Sequence, residues 1–205
     1  MAYPFGEDQA GQSVNTTEAV GLIAEAIPRR AGTWADLGAG DGTFTRALVE
    51  LLGPDSRTYA VDRDARAIAA LKRWAKTHAA AVIPVVADFA GSFDLPGLDE
   101  TMLDGMLFAN ALHFVRDADV VLARLAAWLR PGGRVVFVEY DRRASSRWVP
   151  YPIPVDRLPG LAASAGLSTP VITAMRPSTF GGNLYVATAD RPAKEAAELS
   201  AIPRR

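Results

Sequence analysis

The stretch Asp36-Leu37-Gly38-Ala39-Gly40-Asp41-Gly42 decides the fold. Before it, residues 34–37 form a short apolar run that reads as a strand. After it, residues 43–52 carry apolar side chains three and four apart, as a helix does. Strand, glycine loop and helix open a βαβ unit, and in open sheets of such units ligands bind at the carboxyl ends of the strands. Glycine there lets a ligand touch backbone. The loop is therefore a candidate binding site; the alternative is a tight strand-to-helix turn that binds nothing.

Working outward, the same rhythm continues. Strands are expected at 58–62, 82–87, 102–108 and 134–140, and helices at 64–78 and 117–129, the last stopped by Arg130-Pro131-Gly132-Gly133. The strands are apolar at consecutive positions, so helices should cover both faces of a parallel sheet. A first helix is expected over 16–27, ended by residues 28–32. Residues 140–154 read as an irregular loop, followed by a helix over 155–165 that Gly166 closes. Two last strands, 170–175 and 183–189, are joined by residues 176–182, short enough for a hairpin. This divides the chain into an N-terminal lid or helix (1–32), one α/β domain (33–190) and a polar tail (191–205).

Two carboxylates accompany the loop. Asp62 ends the second strand, 26 residues after Asp36, where it can accept the hydroxyls of a ribose or simply brace the helix beginning at Asp64. Asp88 ends the third with Phe89 beside it, an acceptor for an exocyclic amine next to an apolar face for a purine, or a turn stabiliser. Following one glycine loop, the two together describe an adenosine site.

Composition narrows the chemistry. The 205 residues are 49% hydrophobic, and 22 basic against 23 acidic side chains leave a net charge of -1, which favours neither nucleic acid nor an anionic membrane as a partner. The absence of cysteine removes thiolate chemistry, and two histidines leave little for zinc, so no metal site is expected. The apolar run at 79–87 is far shorter than the roughly 20 residues that span a bilayer. Residues 1–10 lack the basic start and apolar run of a leader, so a soluble, cytoplasmic protein is expected.

Residues 36–42, Val61-Asp62, Ala87-Asp88-Phe89, Asp104 to His113 and Leu129-Arg130-Pro131-Gly132-Gly133 resemble successive motifs of class I S-adenosylmethionine-dependent methyltransferases. The resemblance implies a doubly wound, Rossmann-like sheet of seven strands in order 3-2-1-4-5-7-6 with the seventh antiparallel. It implies S-adenosylmethionine as cofactor, and methyl transfer to a small-molecule acceptor by in-line displacement. Asp36, Gly38 and Gly40 would face the methionyl part, Asp62 the ribose, and Asp88 with Phe89 the adenine. Asn110 and Ala111 would line the methyl-donor end. Valine at position 38 or 40 is expected to block the cofactor and leave the fold intact. Residues 138–141 with 147–152 are also similar to a branch of small bacterial methyltransferases.

A nicotinamide-dependent oxidoreductase shares this architecture, but a G-x-G-x-x-G pattern counted from Gly38 needs glycine where Thr43 stands. Asp41 would also repel a pyrophosphate at the helix N-terminus, whereas S-adenosylmethionine carries no phosphate. A binding protein without turnover is the third reading. Acceptor chemistry is expected just beyond the fourth and fifth strands, from His113, Tyr140 and Asp141, with His113 either a general base or a packed histidine. Arg142, Trp148, Tyr151 and Arg176, with Ser178 and Phe180, form a candidate acceptor pocket for an anion beside aromatic walls; alternatively the aromatics pack the loop and the arginines are solvated.

Overall fold

The computed structural model describes residues 14–98, 102–142, 144–178 and 182–193. Strands β1 (Thr33–Leu37), β2 (Arg57–Asp62), β3 (Val82–Val86), β4 (Leu103–Ala109), β5 (Leu129–Asp141), β6 (Val171–Pro177) and β7 (Asn183–Asp190) form one sheet in the order β3-β2-β1-β4-β5-β7-β6. β1 to β5 pair in parallel, and β7 runs antiparallel to both neighbours. This is the class I methyltransferase topology that the motifs imply. Of the expected features, Phe180, residues 1–13 of the N-terminal segment and residues 194–205 of the tail lie outside the described residues.

The helices are α1 (Thr16–Ile23), α2 (Thr43–Leu52), α3 (Ala65–Thr77), α4 (Ala118–Ala126) and α5 (Leu158–Ser164). Strand side chains alternate between two buried faces. On one, Val136 and Val138 pack with Trp34, Leu107 and the α1 and α2 residues Ile23, Phe44 and Leu48. On the other, Val135 and Phe137 pack with Leu37, Phe108 and the α4 and α5 residues Leu122, Leu125 and Leu161. Between β3 and β4 the described chain covers this second face with irregular backbone. There Leu95 and Leu98 are buried, and the Tyr59 hydroxyl donates to the Pro96 carbonyl at 2.9 Å.

The helix ends that differ most from the sequence reading are the C-termini of α1 and α4 and the start of α5, and at each the backbone hydrogen bonds go elsewhere. α1 stops at Ile23, since Pro28 disfavours helix in the residue before it, and the N–H groups of Ala26 and Ile27 both return to the Ile23 carbonyl at 2.9 and 3.1 Å. α4 stops at Ala126 because β4 takes over: Leu103 N–H donates to the Trp128 carbonyl at 2.8 Å and Leu103 pairs with Leu129. The Pro-Gly-Gly stretch thus becomes the irregular start of β5. α5 begins at Leu158, not 155: Arg157 and Leu158 N–H close tight turns on the Pro154 and Val155 carbonyls at 2.9 and 3.3 Å, and the helical spacing starts with Leu161 N–H on the Arg157 carbonyl at 3.2 Å, while Asp141 Oδ1 holds Val155 N–H at 3.1 Å.

Gly105 has a packing reason. It lies opposite Trp34 across β1 and β4, and a Cβ there would stand 2.4 to 2.5 Å from three atoms of the buried indole. Gly105→Ala should destabilise the protein by about 2–3 kcal/mol through overpacking, measurable by urea unfolding. Unchanged stability would mean that Trp34 has room to shift.

Candidate functional site

The glycine loop leaves β1 under tight backbone control. Gly38 and Ala39 N–H donate to the Val61 carbonyl at 2.8 and 3.0 Å, and Gly40 N–H donates to Asp62 Oδ2 at 2.8 Å. Gly38, Gly40 and Gly42 have φ of 86°, 52° and 87°, a region glycine enters without strain. A Cβ on Gly38 would lie 2.5 Å from Ala111 Cβ and 3.3 Å from the Phe89 ring, so the loop is pressed against the ends of β3 and β4. Among the described residues, a Cβ on Gly40 would meet nothing within 4 Å. That side of the loop is an open cradle.

Asp36 lies beneath it, fully buried. Its Oδ2 accepts from Thr45 Oγ1 at 2.6 Å, and its Oδ1 has no partner among the described residues. Burial pushes its carboxyl up from 3.8 to about 7, opposed by the Thr45 hydrogen bond and reinforced by the charges of Asp62 and Asp41. The folded chain therefore holds a proton that the unfolded chain has released, and this contribution to stability is present below about pH 4 and lost as pH rises to about 7. Between pH 5 and 8 the wild type should lose about 2–3 kcal/mol relative to Asp36→Asn. Parallel urea unfolding curves at the two pH values would show an ionised Asp36 at both.

Asp62 does more for the loop than its expected ribose contact requires. Oδ2 holds Gly40 N–H, and Oδ1 accepts from Asp64 N–H at 2.8 Å, leaving one lone pair on each oxygen for a ligand. Asp88 accepts from Ala90 N–H at 2.9 Å. Phe89 is buried, edge-on to Phe108 with ring centres 5.7 Å apart. Asp41 Oδ1 accepts from the N–H and hydroxyl of Thr43 at 3.3 and 3.1 Å, placing a carboxylate over the first turn of α2.

Beyond β4 the chain turns sharply. Asn110 has φ of 51°, and its Oδ1 is buried without a partner among the described residues. Leu112–Phe114 form a 3-10 turn that Glu139, fully buried on β5, holds from below. Glu139 Oε1 accepts from Leu112 and His113 N–H at 3.0 and 3.2 Å, and Oε2 lies 2.6 Å from His113 Nδ1. With Nδ1–H donating to this carboxylate, Nε2 is the basic nitrogen. The residue signal for Glu139 was a single acid ending the apolar run 135–138; its role depends on a contact 26 positions away, which periodicity does not reveal.

Tyr140 lies beside this pair, its ring centre 6.1 Å from that of His113. Burial and the Glu139 charge raise its pKa, opposed by Arg176 and Arg142. Tyr151 joins the group by donating its N–H to the His113 carbonyl at 3.0 Å, while its hydroxyl accepts from Arg116 at 3.2 Å. Of the remaining expected residues, Asp141 braces Val155 as described, Ser178 N–H donates to the Gly182 carbonyl at 2.9 Å, and Trp148 is exposed with Arg147 over its ring. The other histidine, His78, sits in a hollow lined by Val49, Glu50 and Trp74 at the amino ends of β2 and β3, with Nδ1 2.8 Å from the Trp74 carbonyl. Among the described residues there is no group of three or more His, Asp or Glu that could hold a metal ion, and no helix long and apolar enough to cross a membrane.

Residues 35–135 match a family model described as a methyltransferase domain. Fumosorinone synthetase of Cordyceps fumosorosea is 32% identical over 148 residues, which are 69% of this chain and 4% of that protein. This chain therefore spans a small part of that relative's length. An arsenic(III) S-adenosylmethionine methyltransferase from Chlamydomonas reinhardtii superposes with a TM-score of 0.67 at 16% identity, over 89% of this chain and 74% of that one. A putative methyltransferase from Bacillus halodurans does so with a TM-score of 0.67 at 11% identity, over 86% of this chain and all of the other (100%).

Proposed function

With residues 35–135 belonging to the methyltransferase-domain family, in a sheet of class I topology, we propose that the protein binds S-adenosylmethionine and transfers its methyl group to a small-molecule acceptor. The observation that carries this reading is the loop after β1. It is open at Gly40, surrounded by Asp36, Asp41 and Asp62, and has a carboxylate where a phosphate-bearing cofactor would put negative charge. Such a loop suits a cofactor that is cationic and has no phosphate. The Oδ1 atoms of Asp36 and Asn110, without a partner among the described residues, are acceptors suited to its α-ammonium group.

In this reading Gly38, Gly40 and Asp36 hold the methionyl part, Asp62 the ribose hydroxyls, Asp88 and Phe89 the adenine, and Asn110 and Ala111 border the methyl-donor end. When bound, the cofactor would supply a methyl group activated by its sulfonium, the neutral thioether leaving as the carbon–sulfur bond breaks and an aligned acceptor bonds to the methyl carbon. The chain's own work is to align the acceptor and exclude water. His113 Nε2 takes the acceptor's proton, and Glu139 fixes the ring and its tautomer. Tyr140 and Tyr151 wall the acceptor corner.

S-adenosylhomocysteine should bind at micromolar affinity or better and raise the melting temperature, because it binds only the folded state. NADH should do neither. Stabilisation by NADH alone would establish the oxidoreductase reading instead.

A further inference from the structure

Among the described residues, most half-buried arginines are engaged. Arg46 lies over the Trp74 ring, Arg124 and Arg191 donate to backbone carbonyls, and Arg130 and Arg134 pair with Asp104 and Asp190. Arg142 and Arg176 are also half-buried, yet neither guanidinium makes a hydrogen bond or ion pair with any described residue. A partly desolvated guanidinium without an acceptor is costly, and two in one place leave an unbalanced positive charge.

They do share one place. Tyr140 on β5 pairs with Leu184 on β7, and Leu184 pairs with Arg176 on β6, so these side chains form one row on one face at the carboxyl end of the sheet. Leu184 and Tyr140 both pack into the α1/α2 face, which fixes the side on which Arg176 stands. Arg142 follows two residues after Tyr140, its N–H turned back to the Tyr140 carbonyl at 2.9 Å. The nearby acids are engaged elsewhere: Asp141 Oδ1 holds Val155 N–H, and Glu139 lies under the 3-10 turn.

We infer that Arg142 and Arg176 form an oxyanion clamp beside Tyr140, and that the acceptor carries a carboxylate or phosphate group held there while its nucleophile faces His113. The clamp stands on its own geometry; only the naming of its ligand as the acceptor rests on the methyl-transfer reading. Guanidinium pairs recognise both oxyanions by charge-assisted hydrogen bonds, so the shared chemistry is the negatively charged oxygen group.

The test uses the full chain with 15N-labelled arginine, at constant ionic strength, with resonances of the two side chains assigned from Arg142→Gln and Arg176→Gln. Inorganic phosphate, benzoate and neutral benzamide are titrated separately. The expected result is a saturable shift of both Nε signals at roughly millimolar phosphate or benzoate, none with benzamide, and about tenfold weaker anion binding in either variant. Response to phosphate alone assigns a phosphorylated acceptor, and response to benzoate alone a carboxylate. No shift with either anion up to about 50 mM, or an equal shift with benzamide, overturns the clamp. S-adenosylhomocysteine is titrated independently. Its failure to bind would remove the methyl-transfer reading and leave the clamp to its own data, whereas displacement of the anion by it would assign the clamp to the cofactor and overturn the acceptor role.

Discussion

Gly40→Val should abolish binding of S-adenosylhomocysteine, weakening it by more than about 100-fold, while the protein remains folded. A Cβ at this position meets no atom of the described residues within 4 Å, so the branched side chain projects into the cradle and not into the core. The strain of a non-glycine residue at φ 52° costs on the order of 1–3 kcal/mol, which a folded domain of this size tolerates. Gly38→Val differs. Its Cβ would stand 2.5 Å from Ala111 Cβ, so this variant should lose stability by packing before any ligand is considered. The sequence-based expectation that both valines leave the fold intact is thus corrected at position 38. Calorimetric titration with unfolding curves on both variants separates the two cases, and a folded Gly40→Val protein with normal affinity would remove the loop from the site.

Glu139→Ala should cost about 3–5 kcal/mol of stability, because it leaves two buried backbone N–H groups and an imidazole Nδ1 without their acceptor. Glu139→Gln keeps an acceptor for the backbone and removes the charge, and should cost less. His113→Ala isolates the chemistry. If Nε2 accepts the acceptor's proton, turnover should fall by roughly 100-fold or more with nearly unchanged cofactor affinity, and the loss should shrink above the acceptor's own pKa. Full turnover at neutral pH in His113→Ala would leave alignment alone to carry the reaction. The readouts are urea unfolding for Glu139 and a pH series of turnover for His113.

What the chain revealed in advance follows from how local each signal is. The strand, glycine loop and helix at 34–52 are contiguous, and the structure returns α2 with the same bounds. The ends of α4 and α5 differ from the reading because bonds to other segments act there, as between Leu103 and Trp128, whereas α1 ends on a local turn before Pro28. Within the site, Gly38 and Asp62 stood out by residue type, yet the loop-bracing bonds of Asp62 and the pressure of Ala111 on Gly38 are tertiary facts. Glu139 could be read only as a strand end, since its partners lie on the turn after another strand. Trp148 illustrates the reverse: an aromatic beside arginines invited a pocket assignment, and the ring lies exposed.

The placement of β7 bears on the order in which the chain can assemble. The last strand described inserts between β5 and β6, pairing with β5 from Arg134 opposite Asp190 to Asp141 opposite Asn183, with the Arg134 guanidinium also bound to the Asp190 carboxylate. During synthesis, residues 129–141 emerge well before their partner, and until 183–190 arrive β5 has one open edge whose neighbouring side chains, Val135 to Val138, are all destined for the core. The β1 to β4 half can form beforehand as a nascent unit, but an open apolar edge is a template for pairing with another molecule. The sheet is therefore completed by a late keystone, and the interval before it is set is the period in which the nascent chain is most exposed to misassembly.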